Sequence, residues 1–310
     1  MLRRTPTPVV LALAAGTALA GCTTAAADGP AADGSLQVLA SFYPLHHVVE
    51  QVGGDLVTVG SLTPPGAEPH DVELSPRQVR EVGEADVVVV LGGFQPSVDA
   101  AVQARRPEHL VDAASTAVVA AHLEETPTEG DGAEDGHGHA GDPHFWLDPT
   151  LLAAVGQDVA AALAEADPAH AEEFEARADA LEADLAELDD AFAVGLADCD
   201  RRVIVAAHEA YGFLAERYDL EQAGLSGLDP EAEPSPARLR EIGDIVGDHG
   251  VTTIFTEELV NPKVAETLAQ DLGVATAVLD PVEAQVDEST DYRGAMEKNL
   301  SALRAALGCR

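Results

Sequence analysis

Four side chains of metal-binding type are spread along the chain, each beside a proline or at the end of an apolar run: His70, His144, His208 and Asp280. Three imidazoles and one carboxylate suit a borderline divalent ion such as Zn²⁺, whereas Mn²⁺ prefers more oxygen donors. Taken singly, each has an ordinary alternative, because a histidine after a strand is commonly a cap or surface residue and an Asp before Pro commonly starts a turn. Their joint placement indicates a metal site.

That placement depends on a repeated strand and helix pattern. Short apolar strands alternate with amphipathic helices in both halves of the chain, which is typical of parallel sheets covered by helices. Ligands of such sheets bind beyond the carboxyl ends of the strands, and all four side chains follow predicted strands: 57–61 and 110–112 in the first half, 203–206 and 276–279 in the second. The sequence therefore predicts an α/β fold with two Rossmann-like lobes and a metal site in the cleft between them.

A long helical pattern separates the two halves and begins after Asp167-Pro168. Its apolar residues are spaced alternately by four and three: Phe174, Ala178, Leu181, Leu185, Leu188 and Phe192. A coiled coil is the alternative, but a βα half on each side favours a strut that joins two lobes. The predicted organisation is a signal peptide (1–21), a flexible tether (22–35), an N-terminal lobe (36–167), one long linker helix (168–197) and a C-terminal lobe (198–310).

The start of the chain is typical of an exported protein. Arg3 and Arg4 precede an apolar run that ends in Leu19-Ala20-Gly21-Cys22 and is too short to span a bilayer permanently. Small residues before a cysteine resemble the bacterial lipobox, so we expect Cys22 to be lipidated and the protein to be anchored on the outer face of the cell membrane. An ordinary signal peptide with a chance cysteine is the alternative.

The net charge restricts the possible partners, and the cysteine content restricts the possible disulfides. The 310 residues include 55 Asp and Glu against 17 Lys and Arg, for a net charge of -38. Such a surface would repel nucleic-acid phosphates, so nucleic acid is excluded as a partner. With Cys22 lipidated, Cys199 and Cys309 remain, and in an oxidising compartment they form either one disulfide or two separate buried thiols.

The segment 124–142 differs from both lobes. It is rich in Gly, Glu and Asp, has no apolar face and carries His137 and His139, so we expect a mobile surface loop. Metal capture by these two histidines and a plain flexible insertion are equally open interpretations of the segment.

Six segments together resemble one family: Leu19 to Cys22, Ser41 to Pro44, Gly66 to His70, Asp142 to Pro149, Ala207 to Tyr211 and Leu279 to Pro281. They are similar to the zinc and manganese solute-binding lipoproteins of bacterial ABC importers, over essentially the whole mature chain. The resemblance implies a monomeric protein that holds a metal ion between two lobes and delivers it to a membrane permease with its ATPase. It carries the ligand role onto His70, His144, His208 and Asp280. The sequence itself leaves Glu68 as an alternative to Asp280 for the fourth ligand.

The resemblance also favours one metal. Manganese members usually place a Glu where this sequence has His208, and zinc members a His, so Zn²⁺ is the expected cargo and Mn²⁺ the alternative. A zinc hydrolase is the rival enzyme, but the residue four beyond His208 is Gly212 rather than a second His, and a fourth protein ligand closes the coordination shell. We therefore expect no enzyme activity. A surface adhesin is a third class, and it would not require these four side chains.

Overall fold

The first lobe is built on a parallel four-stranded sheet. In the computed structural model, which describes residues 34–123, 141–287 and 289–310, its strands are β1 (Leu36–Ala40), β2 (Val57–Ser61), β3 (Val87–Val90) and β4 (His109–Asp112). Their order is β2-β1-β3-β4, and the helices are α1 (Tyr43–Gly53), α2 (Pro76–Val82), α3 (Pro96–Arg105), α4 (Ala117–Leu123) and α5 (Pro149–Ala166). The four valines of β3 are all buried, as expected for an inner strand that helices cover on both faces.

The second lobe repeats the arrangement. Its strands are β5 (Val203–Ala206), β6 (Glu221–Gly224), β7 (Thr253–Thr256) and β8 (Ala275–Val278), all parallel in the order β6-β5-β7-β8. The helices that follow the long α6 (Ala171–Leu196) are α7 (Gly212–Arg217), α8 (Pro236–Asp248), α9 (Lys263–Leu272) and α10 (Tyr292–Leu307). Two parallel α/β lobes confirm the predicted fold class.

Helix α6 lies between the lobes in sequence and packs against elements of both. The six apolar residues of its predicted stripe are all buried, which confirms the stripe. Its 26 residues span about 39 Å at the usual helical rise, and they contact α1 and α5 of the first lobe and α10 of the second. One continuous apolar core runs through both lobes and α6, so packed side chains hold the two lobes together.

The entry to the second lobe is covalently tied to the end of the chain. A disulfide joins Cys199, just beyond α6, to Cys309, just beyond α10, across a sequence separation of 110 residues. Among the described residues, no helix combines the length and apolar character needed to cross a bilayer.

Candidate metal centre

The loop after β2 carries His70 into the cleft. Gln95 braces this loop from inside, because its Nε2 donates to Thr63 Oγ1 at 2.9 Å and to the Pro69 carbonyl at 3.0 Å. Within the loop, the Glu68 carboxylate accepts the backbone N–H of His70 at 3.0 Å. His70 is therefore delivered by a hydrogen-bonded loop rather than by a loose one.

His144 stands at the start of a 3-10 turn, Phe145–Leu147, that leads into α5. Asp142 Oδ1 accepts both the backbone N–H of His144 at 3.0 Å and its Nδ1–H at 2.7 Å. Within this turn, Trp146 donates from Nε1 to the Pro281 carbonyl of the second lobe at 2.8 Å, and Tyr292 donates its hydroxyl to the Trp146 carbonyl at 2.6 Å. These bonds fix the turn that carries His144 against the opposite lobe.

The second lobe supplies His208 and Glu283. His208 lies two residues beyond β5, and its Nδ1–H donates to Glu257 Oε1 at 2.8 Å. Glu283 lies in the turn beyond β8. Both side chains are almost completely buried, so they face each other and the first lobe rather than solvent.

The ligand atoms of His70, His144, His208 and Glu283 all lie within 4.8 Å of one another. Glu283 Oε1 is 2.9 Å from His144 Nε2, 3.5 Å from His70 Nε2 and 3.6 Å from His208 Nε2. The His144 and His208 Nε2 atoms are 3.4 Å apart. Three imidazole nitrogens and one carboxylate, two groups from each lobe, make a donor set that fits a tetrahedral divalent ion.

The electrostatics of the cluster are those of a network of carboxylates and imidazoles. Burial disfavours the charged form of His208, but the carboxylates of Glu257 and Glu283 outweigh burial and raise its pKa to about 10. The pKa of His144 is raised in the same way, against burial, by Asp142 and Glu283. Burial also opposes ionisation of Glu283, yet the three imidazoles hold its pKa well below the usual range.

The structure places the expected fourth ligand outside this cluster. Asp280 Oδ1 accepts the backbone N–H of Val282 at 2.8 Å, and burial raises the pKa of the Asp280 carboxyl to about 6. Glu283, three residues later, stands where Asp280 was expected, because Asp280 shapes the turn that carries Glu283 into the cleft. The alternative ligand Glu68 is also outside the four, with its Oε1 3.9 Å from His70 Nε2.

Sequence reasoning missed Glu257 and Glu283. Glu257 directly follows β7, so the rule that selected His208 would also have selected it. Glu283 gave a weaker signal than Asp280, which directly follows the predicted strand 276–279. Of the other expected site residues, Cys22, His137 and His139 lie outside the described residues.

Comparisons with known proteins find relatives of this chain in sequence and in structure. The family described as ZnuA, zinc-uptake complex component A, periplasmic, matches residues 38–306. The zinc-binding lipoprotein AdcA of Streptococcus pneumoniae is 34% identical over 281 residues, which cover 88% of this chain and 56% of AdcA. The chain thus spans little more than half the length of that relative.

Two further relatives match over nearly their full length. The high-affinity zinc uptake system protein ZnuA of Bacillus subtilis is 31% identical over 279 residues, which cover 88% of each chain. The structure of the laminin-binding protein Lmb of Streptococcus agalactiae, described as a bifunctional protein with adhesin and metal transporting activity, superposes with a TM-score of 0.75 at 29% identity. That superposition covers 88% of this chain and all of Lmb.

Proposed function

The chain belongs to the ZnuA family of periplasmic zinc-uptake components, and from this premise we propose that it captures Zn²⁺ between its lobes and delivers the ion to an ABC importer. The single observation that carries the proposal is the convergence of three histidines and one glutamate, two from each lobe, within 4.8 Å. Because each lobe contributes half of the donors, an ion bound there would link the lobes.

We assign the ligand role to His70, His144, His208 and Glu283. Nitrogen donors from three imidazoles favour Zn²⁺ over the harder Mn²⁺, which is better served by oxygen. The names of the relatives from S. pneumoniae and B. subtilis refer to zinc, which supports the same choice of cargo.

This donor set suits a protein that captures a metal ion better than it suits a zinc enzyme. A catalytic zinc ion keeps one coordination position open for water or substrate, whereas four protein ligands fill a tetrahedral shell. With three imidazoles and Glu283 all directed at one point, an ion would have no open position, so we propose a carrier and not a zinc hydrolase.

The proposal extends to the place of action. The lipobox at Cys22 supports a lipid anchor on the outer face of the cell membrane. The family supports a permease with its ATPase as the receiving partner, and the carrier would act as a monomer because both halves of the site come from one chain.

Metal analysis and competition test the proposal. Purified protein should bind one Zn²⁺ per chain, and Mn²⁺ should fail to displace it in competition with a chromophoric chelator. The chain has a single tryptophan, and the ring of Trp146 lies 5.1 Å from that of His144, so its fluorescence should report binding directly.

Changing His70, His144 and His208 together to Ala should abolish binding, whereas His249→Ala, which alters an exposed histidine outside the cluster, should leave it unchanged. A wild-type protein that ignores Zn²⁺ but binds Mn²⁺ would refute the choice of cargo.

A further inference from the structure

Glu257 faces His208 because of the register of two neighbouring strands. In the parallel pair β5 and β7, Val205 is opposite Ile254 and Ala206 is opposite Phe255. Two residues further along each strand come His208 and Glu257, and their side chains meet at 2.8 Å between Nδ1 and Oε1. The contact is thus set by the sheet and not by a flexible loop.

The burial of this pair shows that it is a built feature. The side chains of His208 and Glu257 are only 1% and 3% exposed. An isolated buried carboxylate is costly, so a partner must compensate it, and the Nδ1–H of His208 does so. The first lobe has a counterpart, since Asp142 Oδ1 accepts the Nδ1–H of His144 at 2.7 Å.

We propose that Glu257 is the positioning residue for His208 and that it restricts position 208 to a hydrogen-bond donor such as histidine. This inference rests on the proposed zinc-binding function. By accepting the Nδ1–H, Glu257 holds that proton on Nδ1, so Nε2 is the atom whose electron pair binds the metal, and it aims Nε2 at the cluster. The negative charge behind the ring also makes Nε2 a stronger donor to a cation.

The restriction on position 208 follows from charge. A glutamate at 208 would set its carboxylate beside those of Glu257 and Glu283, with no proton donor in place of Nδ1–H. Like charges at this distance repel strongly in a buried site. A glutamine at 257 would remove the repulsion, because its amide can donate a hydrogen bond to a carboxylate at 208.

Four variants test the inference by Zn²⁺ affinity, measured by chelator competition at constant pH. Glu257→Gln keeps an oxygen that can accept the Nδ1–H but removes the negative charge behind the ring, so it should weaken binding about 10-fold, the lower end of the usual effect of perturbing such a partner of a metal ligand. Its matched control is Glu258→Gln, which removes the same charge from the adjacent, exposed residue and should change affinity by less than about threefold, since exposed charges are screened.

A double substitution at positions 208 and 257 tests the inference independently of the single variants. His208→Glu alone should lose most of the affinity, and His208→Glu combined with Glu257→Gln should recover at least about tenfold of that loss. A merely structural role for Glu257 predicts no such recovery. Thermal melts of the metal-free variants establish that each one is folded, and the double substitution remains decisive even if Glu257→Gln alone does not fold.

The two proposals fail in different ways. Wild-type protein without Zn²⁺ affinity would overturn the proposed function itself. Wild-type binding with equal losses in Glu257→Gln and Glu258→Gln, or a double variant no better than His208→Glu, would overturn the role of Glu257 alone.

Discussion

Zinc binding to the metal-free protein should release protons. With a pKa raised to about 10 by Glu257 and Glu283 against the effect of burial, His208 is an imidazolium at neutral pH. Its Nε2 cannot coordinate a metal until that proton leaves. Asp142 and Glu283 also raise the pKa of His144 against burial, which favours its protonated form in the metal-free protein. Glu283 contributes none, because its pKa lies well below the usual range.

These shifts set the size of the effect. A pH of 7 is about three pH units below the pKa of His208, so this side chain is fully protonated. At least one proton should therefore leave for each Zn²⁺ bound, and a second if His144 is also charged. Each proton makes the apparent affinity change about tenfold per pH unit. Acidification from pH 7 to pH 6 should therefore weaken Zn²⁺ binding by about 10- to 100-fold.

Calorimetry measures the protons directly. Titrations with Zn²⁺ at pH 7 in buffers of different ionisation enthalpy should give apparent enthalpies whose slope corresponds to between one and two protons released. His249→Ala should give the same slope, because that histidine is exposed and outside the cluster. A slope of zero, with an affinity that stays constant between pH 6 and pH 8, would refute the charged state assigned to the metal-free cluster.

The stability of the metal-free protein should fall as the pH rises, whereas its Zn²⁺ affinity should increase. A histidine whose pKa rises from 6.5 to about 10 on folding stabilises the fold fully below pH 6.5, and this contribution is lost as the pH rises through 10. Zn²⁺ gains affinity over the same rise in pH, so the increase in melting temperature on adding Zn²⁺ should be larger at pH 8 than at pH 6.

Three further changes have defined outcomes. Glu283→Gln should weaken Zn²⁺ binding by at least about 100-fold, and Asp280→Asn by less than about tenfold; the reverse order in chelator competition would show that Asp280 is the ligand. Reducing the bond between Cys199 and Cys309 should destabilise the metal-free protein by about 2–4 kcal/mol in urea unfolding, whereas finding both thiols free by non-reducing peptide mapping would remove the effect. Cys22→Ala should release soluble protein from membranes, and a variant that stays tightly membrane-bound would contradict lipidation.

The parts of the fold that were predictable are those that local physics determines. Apolar runs such as Val87–Val90 and Val203–Ala206 are buried on both faces of a sheet, and their composition alone predicts inner parallel strands. The apolar stripe of α6 was equally predictable, because a helix between two lobes must bury one face. Strand β8 was less so: its residues are mostly exposed at the sheet edge, and it ends one residue earlier than predicted.

Three of the four clustered groups were also selected from the sequence, since His70, His144 and His208 follow strands or open a helix at the predicted edge. The carboxylates were harder. Glu257 becomes significant only when β5 is known to pair with β7, because the register then brings it to His208. Strand pairing is a long-range property, and no spacing along the chain encodes it.

The turn that contains both residues explains why Glu283, and not Asp280, lies in the cluster. Val282 adopts a φ of 57°, a left-handed conformation that is strained for a β-branched residue. Surrounding donors hold the turn in this form, each bonded to a successive carbonyl: Tyr211 to Leu279 at 2.7 Å, Asn299 to Asp280 at 2.6 Å and Trp146 to Pro281 at 2.8 Å.

Asp280 also stabilises this turn, because its own Oδ1 accepts the Val282 N–H. Its carboxylate is committed to the backbone, and the strained turn directs the next acidic side chain, Glu283, at the imidazoles. This explains why Asp280→Asn should be mild, since an amide oxygen can still accept that N–H. Asp280→Ala should weaken Zn²⁺ binding more than Asp280→Asn does, because losing the acceptor frees the turn that positions Glu283. A direct ligand would instead lose affinity in both variants alike.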